Sequence, residues 1–160
     1  MNTKASIVDS LHVQDIYLLD FCFLRNGEWE TRDFDHEQLV LQNKKGVKVS
    51  VHEVERGDAT VTILCVDVEH GMRAVEPDSE SQISSDDSVN IIFELAATFR
   101  AEYLLKDPNH DKEELIAFGK GSAAFQIYPF WREFVYEHMV KLRLPTPPVK
   151  MLRLDSEDEE

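Results

Sequence analysis

The longest strict alternation of apolar and polar residues runs from Val89 to Leu105. Its odd positions, Val89, Ile91, Phe93, Leu95, Ala97, Phe99, Ala101, Tyr103 and Leu105, are all apolar, whereas the even ones include Asn90, Glu94, Thr98, Arg100 and Glu102. Successive side chains of a strand point to opposite faces, so the pattern predicts a half-buried β-strand. Val47, Val49 and Val51 alternate with Lys48, Ser50 and His52, and Glu55-Arg56-Gly57-Asp58 leads into another strand, Ala59 to Glu69. Two such runs around a short glycine-containing turn predict a hairpin. Ile16 to Leu24 reads differently. Tyr17, Leu19, Phe21 and Phe23 fall on one face, and Ile16, Leu18, Asp20, Cys22 and Leu24 on the other. The strand is therefore apolar on both faces and requires cover on each, with Asp20 the single charge interrupting the second. Residues 28–46 have no clear period.

The pattern then changes. Asp111 is placed to cap a short helix ending at Phe118, and Gly119-Lys120-Gly121-Ser122 reads as a loop. Pro129 suits the first turn of a second helix reaching about Leu142, before Pro145, Pro147 and Pro148 stop it. The apolar set of this helix includes Phe130, Trp131, Phe134, Val135, Tyr136, Met139 and Val140, wider than a stripe packed on one sheet requires. Its outer side therefore calls for a second subunit or a ligand. The elements together predict an α+β fold, with a four-stranded antiparallel sheet carrying C-terminal helices on one face.

Composition bounds the function. A chain of 160 residues that is 42% hydrophobic matches one domain, expected over residues 1–154. The formal charge of −14 is carried largely by two segments. Glu76 to Ser88 holds five acids and Asp155 to Glu160 another five; without these ten the body stands at −4. They read as a Ser/Asp-rich loop, residues 71–88, and a disordered tail, residues 155–160. Binding to a nucleic-acid backbone needs a basic surface, which this chain lacks. No apolar run approaches the ~20 residues of a membrane span, and the opening Met1-Asn2-Thr3-Lys4-Ala5 has no secretory core. A cytoplasmic protein without membrane insertion is expected, and Cys22 and Cys65 read as free, buried thiols.

Catalytic signatures are sparse. GKGS at Gly119 to Ser122 echoes a phosphate-binding loop, but the glycine required five positions earlier is Glu114. His12, His36, His52, His70, His110 and His138 show no metal-ligand spacing and read as surface or turn residues. Neither a catalytic centre, a metal nor a cofactor is expected. The distinctive feature is aromatic density, with seven of the 15 aromatics lying between Phe118 and Tyr136. Phe125, Tyr128, Phe130, Trp131 and Phe134 are accordingly candidates for a hydrophobic groove that takes an extended partner, shared with the core.

Several blocks resemble the SecB family of protein-export chaperones. Ile16-Tyr17-Leu18-Leu19-Asp20-Phe21-Cys22-Phe23 is similar to that family's opening strand, Ile92-Phe93-Glu94-Leu95 to a later strand, and Ile127-Tyr128-Pro129-Phe130-Trp131-Arg132-Glu133 to the start of its main helix. Pro147-Pro148-Val149 stands where the family has Ala-Pro-Val. The resemblance implies an oligomer, a homotetramer built as a dimer of dimers, acting as an ATP-independent holdase. Such a holdase keeps unfolded precursor polypeptides export-competent and delivers them to the SecA translocation motor. It also implies that Asp20, Ile92 and Glu94 match the sheet positions that contact SecA. Leu24 replaces the second acidic position of the first strand, Trp131 an alanine and Lys150 an asparagine, so the chain resembles a divergent member. The alternative is a dedicated chaperone or adaptor for a single partner such as an antitoxin.

Overall fold

The computed structural model describes residues 6–33, 39–76, 90–145 and 149. Four strands, β1 (Leu11–Arg25), β2 (Val40–Arg56), β3 (Ala59–Val75) and β4 (Ile91–Leu105), form one antiparallel sheet in the order β1-β4-β3-β2. Helix α1 (Lys112–Phe118), a π-helical turn (Gly119–Ala123) and helix α2 (Ala124–Lys141) follow without a break. The expected architecture is therefore present, with the helices on one face of the sheet. We call the other the open face.

β4 behaves as its alternation predicts. Phe93, Leu95, Ala97, Phe99, Ala101, Tyr103 and Leu105 are buried, while Glu94, Thr98, Arg100 and Glu102 are half-buried on the open face. β3 supplies Leu64, Val66, Val68, Met72 and Ala74 to the helix side, and α2 answers with Ala124, Ile127, Trp131, Phe134, Val135 and Met139. The β2–β3 hairpin turns at Gly57-Asp58, where Gly57 has φ +61°, a left-handed conformation that glycine adopts without steric cost.

Several expectations need correction. β1 is not apolar on two faces. Its pairing with β4 slips between Val13 and Asp15 and again between Leu18 and Asp20, leaving Gln14 and Leu19 as extra, bulged residues. Each bulge reverses the phase of the alternation. Leu11, Val13, Ile16, Leu18, Phe21 and Phe23 therefore all share the helix side, opposite buried β4 residues. β2 begins at Val40 rather than Val47; its added Lys44 and Lys45 hid the strand, and lysines are a common protection for an edge. Gly71–Val75, expected in a loop, completes β3. The rest of the acidic loop (residues 77–88), Val89, and the tail 155–160 lie outside the described residues.

The helical segment departs most. GKGS is neither a loop nor a hinge but lies in the π-helical turn, and α2 begins five residues before Pro129. A Cβ at Gly119 would lie 2.5 Å from Val49 Cγ2, so this glycine serves a close helix–sheet approach rather than flexibility. Asp111 does cap α1, with Glu114 completing the capping box. The two cysteines are both free, but only Cys65 is buried; Cys22, on the open side of edge strand β1, is exposed. Among the described residues no helix is long and apolar enough to cross a membrane.

Candidate polypeptide-binding groove and open sheet face

α2 packs over β3 and β4, and the helix-side residues of edge strand β1 extend beyond it. Val13, Leu18 and Phe21 are consequently solvent-exposed although they point to the apolar side of the sheet. Phe21 is 53% exposed, and its ring meets Phe134 edge-on at 5.6 Å and His138 at 5.8 Å. Leu18 pairs with Phe99, whose ring lies 6.3 Å from Phe130 of α2, itself 39% exposed. We call the apolar strip between β1 and α2 the channel, with Leu18 and Phe21 on the strand side and Phe130 and the edge of Phe134 on the helix side. The outer edge of β1 bounds it. Backbone groups there that have no strand partner among the described residues can add hydrogen bonds to an extended chain lying in the channel.

The five groove candidates separate by burial. Trp131 and Phe134 are 4% and 6% exposed and belong to the core. Tyr128 is half-buried against that core, whereas Phe125 and Phe130 remain exposed. Position along α2 decides this: Ile127, Trp131, Phe134 and Met139 recur on the sheet-facing side, and Phe125 does not. Phe21 and Leu18 are wall residues that strand periodicity alone could not assign, because the bulge at Leu19 sets their face.

Among the described residues two histidines, His70 and His110, are buried, against expectation. His70 stacks on Trp131 at 5.4 Å and meets Tyr128 edge-on at 5.6 Å, and its Nε2 has no hydrogen-bond partner among the described residues. Burial, reinforced by Lys45, pushes its pKa down to about 4, so the neutral ring acts as an aromatic plate beneath α2. His110 bridges two segments: its Nδ1 is 3.0 Å from Glu114 Oε2 and its Nε2 3.0 Å from Ser10 Oγ. In the neutral tautomer protonated at Nδ1, the ring donates to the carboxylate and accepts the Ser10 hydroxyl. The arrangement ties the short N-terminal turn Ile7–Ser10 to the start of α1. Its serine and imidazole are both buried.

Ile92 is buried with the core residues, whereas Asp20 and Glu94 lie on the open face, where Asp20 pairs with Thr98 and Leu24 with Glu94. That face is a lattice of matched charges. Arg100 donates two hydrogen bonds to Asp67 at 2.6 and 2.8 Å, and Lys44 reaches Glu69 at 3.0 Å and Glu94 at 3.2 Å. The Tyr17 hydroxyl donates to Glu102 at 2.8 Å. Glu94 thus already has a cationic neighbour. Asp20 accepts the backbone N–H of Phe21 at 2.8 Å. No group of three or more potential metal ligands occurs among the described residues.

No protein-family model and no curated protein matches the sequence. The fold, however, has a solved counterpart: the SecB-like chaperone Rv1957 of Mycobacterium tuberculosis, in complex with a ChAD peptide from the Rv1956 HigA1 antitoxin. The likeness covers 92% of this chain and 94% of that one, with a TM-score of 0.63 and 17% sequence identity. The fold is SecB-like. At this identity the shared feature is the arrangement of strands and helices, in which the β1–α2 channel is built.

Proposed function

We propose that the protein is a holdase chaperone that binds extended polypeptide in the channel between β1 and α2, dedicated to one or few clients. The carrying observation is the exposed apolar wall of Leu18, Phe21 and Phe130 beside a strand edge that is unpaired among the described residues. Burial of such surface favours binding by ~25 cal/mol per Å² before ordering costs. Three exposed apolar side chains beside a hydrogen-bonding edge suit an extended chain better than a folded surface. The antitoxin peptide on the SecB-like counterpart supports a dedicated client, such as an antitoxin, over export delivery. Net negative charge would keep the loaded complex soluble and favour basic clients. Assembly into a homotetramer would cover the outer side of α2, where Phe125 and Val140 are exposed.

Delivery to SecA is the second reading, favoured by the common face of Asp20 and Glu94 but not by Ile92, which is buried. The Lys44–Glu94 ion pair lowers the attraction that this face would offer a basic partner. A panel of unfolded, unrelated polypeptides separates the readings. A dedicated holdase captures a single client class and leaves most of the panel free. A general export holdase arrests refolding of most of them and then binds SecA with its clients; capture of none overturns both.

A further inference from the structure

The two bulges of β1 share one construction. Gln14 and Leu19 are the extra residues, and each is followed by an aspartate, Asp15 or Asp20. Asp15 Oδ1 accepts the N–H of Ile16 at 2.9 Å, and Asp20 Oδ1 accepts the N–H of Phe21 at 2.8 Å. A bulge disturbs the ladder and leaves a backbone group without its cross-strand partner. In both bulges of β1 the side chain of the residue after the extra one holds the next backbone N–H. The consequence reaches the channel: the second bulge brings Leu18 and Phe21, three residues apart, onto the same side of the sheet. Without it, strict alternation would send one of them to the open face.

From this geometry we infer that Asp20 is a positioning residue, whose carboxylate pins the β1 bulge and thereby sets which apolar side chains line the channel. Its role for client binding rests on the channel reading proposed above; its role in register does not. The segment after the bulge is anchored separately, because Asn26 donates its backbone N–H to Ile92 O at 3.0 Å and its side-chain amide to Ile91 O at 2.8 Å. Loss of the pin therefore shifts residues 15–18 and leaves residues 20–25 in place.

Two engineered disulfides read the register on either side. Ile16→Cys with Ala101→Cys reports the segment before the bulge, in a Cys22→Ser, Cys65→Ser background. Native Cys22 with Ala96→Cys, in a Cys65→Ser background, reports the segment after it. Asp20→Ala is expected to reduce the first cross-link about fivefold or more, spare the second, and weaken client binding about tenfold. Asp20→Asn keeps an acceptor oxygen and is expected to stay within about twofold of the parent on every measure. A charge contact to a basic partner would instead make Asp20→Asn as damaging as Asp20→Ala. Equal formation of the first cross-link in Asp20→Ala and the parent overturns the inference. Loss of that cross-link with unchanged client affinity supports the register role and overturns the channel reading.

Discussion

At the residue scale, burial separates the aromatics that hold the fold from those available to bind. Trp131 and Phe134 carry core packing, so replacing either by alanine should cost about 3–5 kcal/mol of unfolding free energy. Phe21 and Phe130 are half-exposed, and Phe21→Ser with Phe130→Ser should change the melting temperature little while weakening client binding about tenfold or more. Denaturation and peptide-binding curves on the same samples check both statements. His70 adds a pH dependence. Its folded pKa of about 4 lies below the ordinary 6.5, so the unfolded chain takes up the proton first as pH falls. The His70 contribution is therefore complete above pH 6.5 and declines between 6.5 and 4, by about 1.4 kcal/mol per pH unit at most. Urea denaturation across that window should show the slope in the parent, and His70→Phe should lack this share of it. Identical pH profiles for the two would remove His70 as the cause.

At the scale of elements, local rules were legible wherever the backbone stayed regular. β4 has no bulge between Phe93 and Leu105 in its pairing with β3, and its alternation gives face and burial directly. β1 defeats the same reading because two extra residues reverse the phase twice, and no composition signal marks Gln14 or Leu19 as bulged. Asp15 and Asp20 are the nearest sequence trace of those bulges, legible only once their backbone contacts are known. The glycines of the π-helical turn misled in the opposite direction. Gly119 is required by Val49, whereas nothing lies within 4 Å of a Cβ at Gly121. Gly119→Ala should therefore destabilise the protein by about 1–3 kcal/mol through overpacking. Gly121→Ala should be neutral or stabilise it by up to about 1 kcal/mol through helix propensity. Equal effects in chemical denaturation would contradict this account of the turn.

At the scale of the whole molecule, sheet order decides where function can reside. Placing β1 at an edge leaves its apolar helix side beyond the cover of α2, and this creates the channel. The aromatic density of residues 118–136 signalled more apolar surface than one sheet buries, but it could not apportion that surface between core, channel and subunit contact. Strand order and the register of β1 supply that division, and both depend on pairings far apart in sequence. The open face shows the converse: its acids are visible in the sequence, while the Lys44 and Arg100 partners that neutralise Glu94, Glu69 and Asp67 appear only with the fold.

The most direct test of a holdase channel is nucleotide-free capture of an unfolded, fluorescently labelled client chain, followed by anisotropy during its refolding. The account predicts saturable capture by the parent protein and loss of about tenfold or more in affinity for the folded Phe21→Ser, Phe130→Ser variant. Capture of the client by that variant with parental affinity would contradict it, because chain binding would then reside outside the β1–α2 channel.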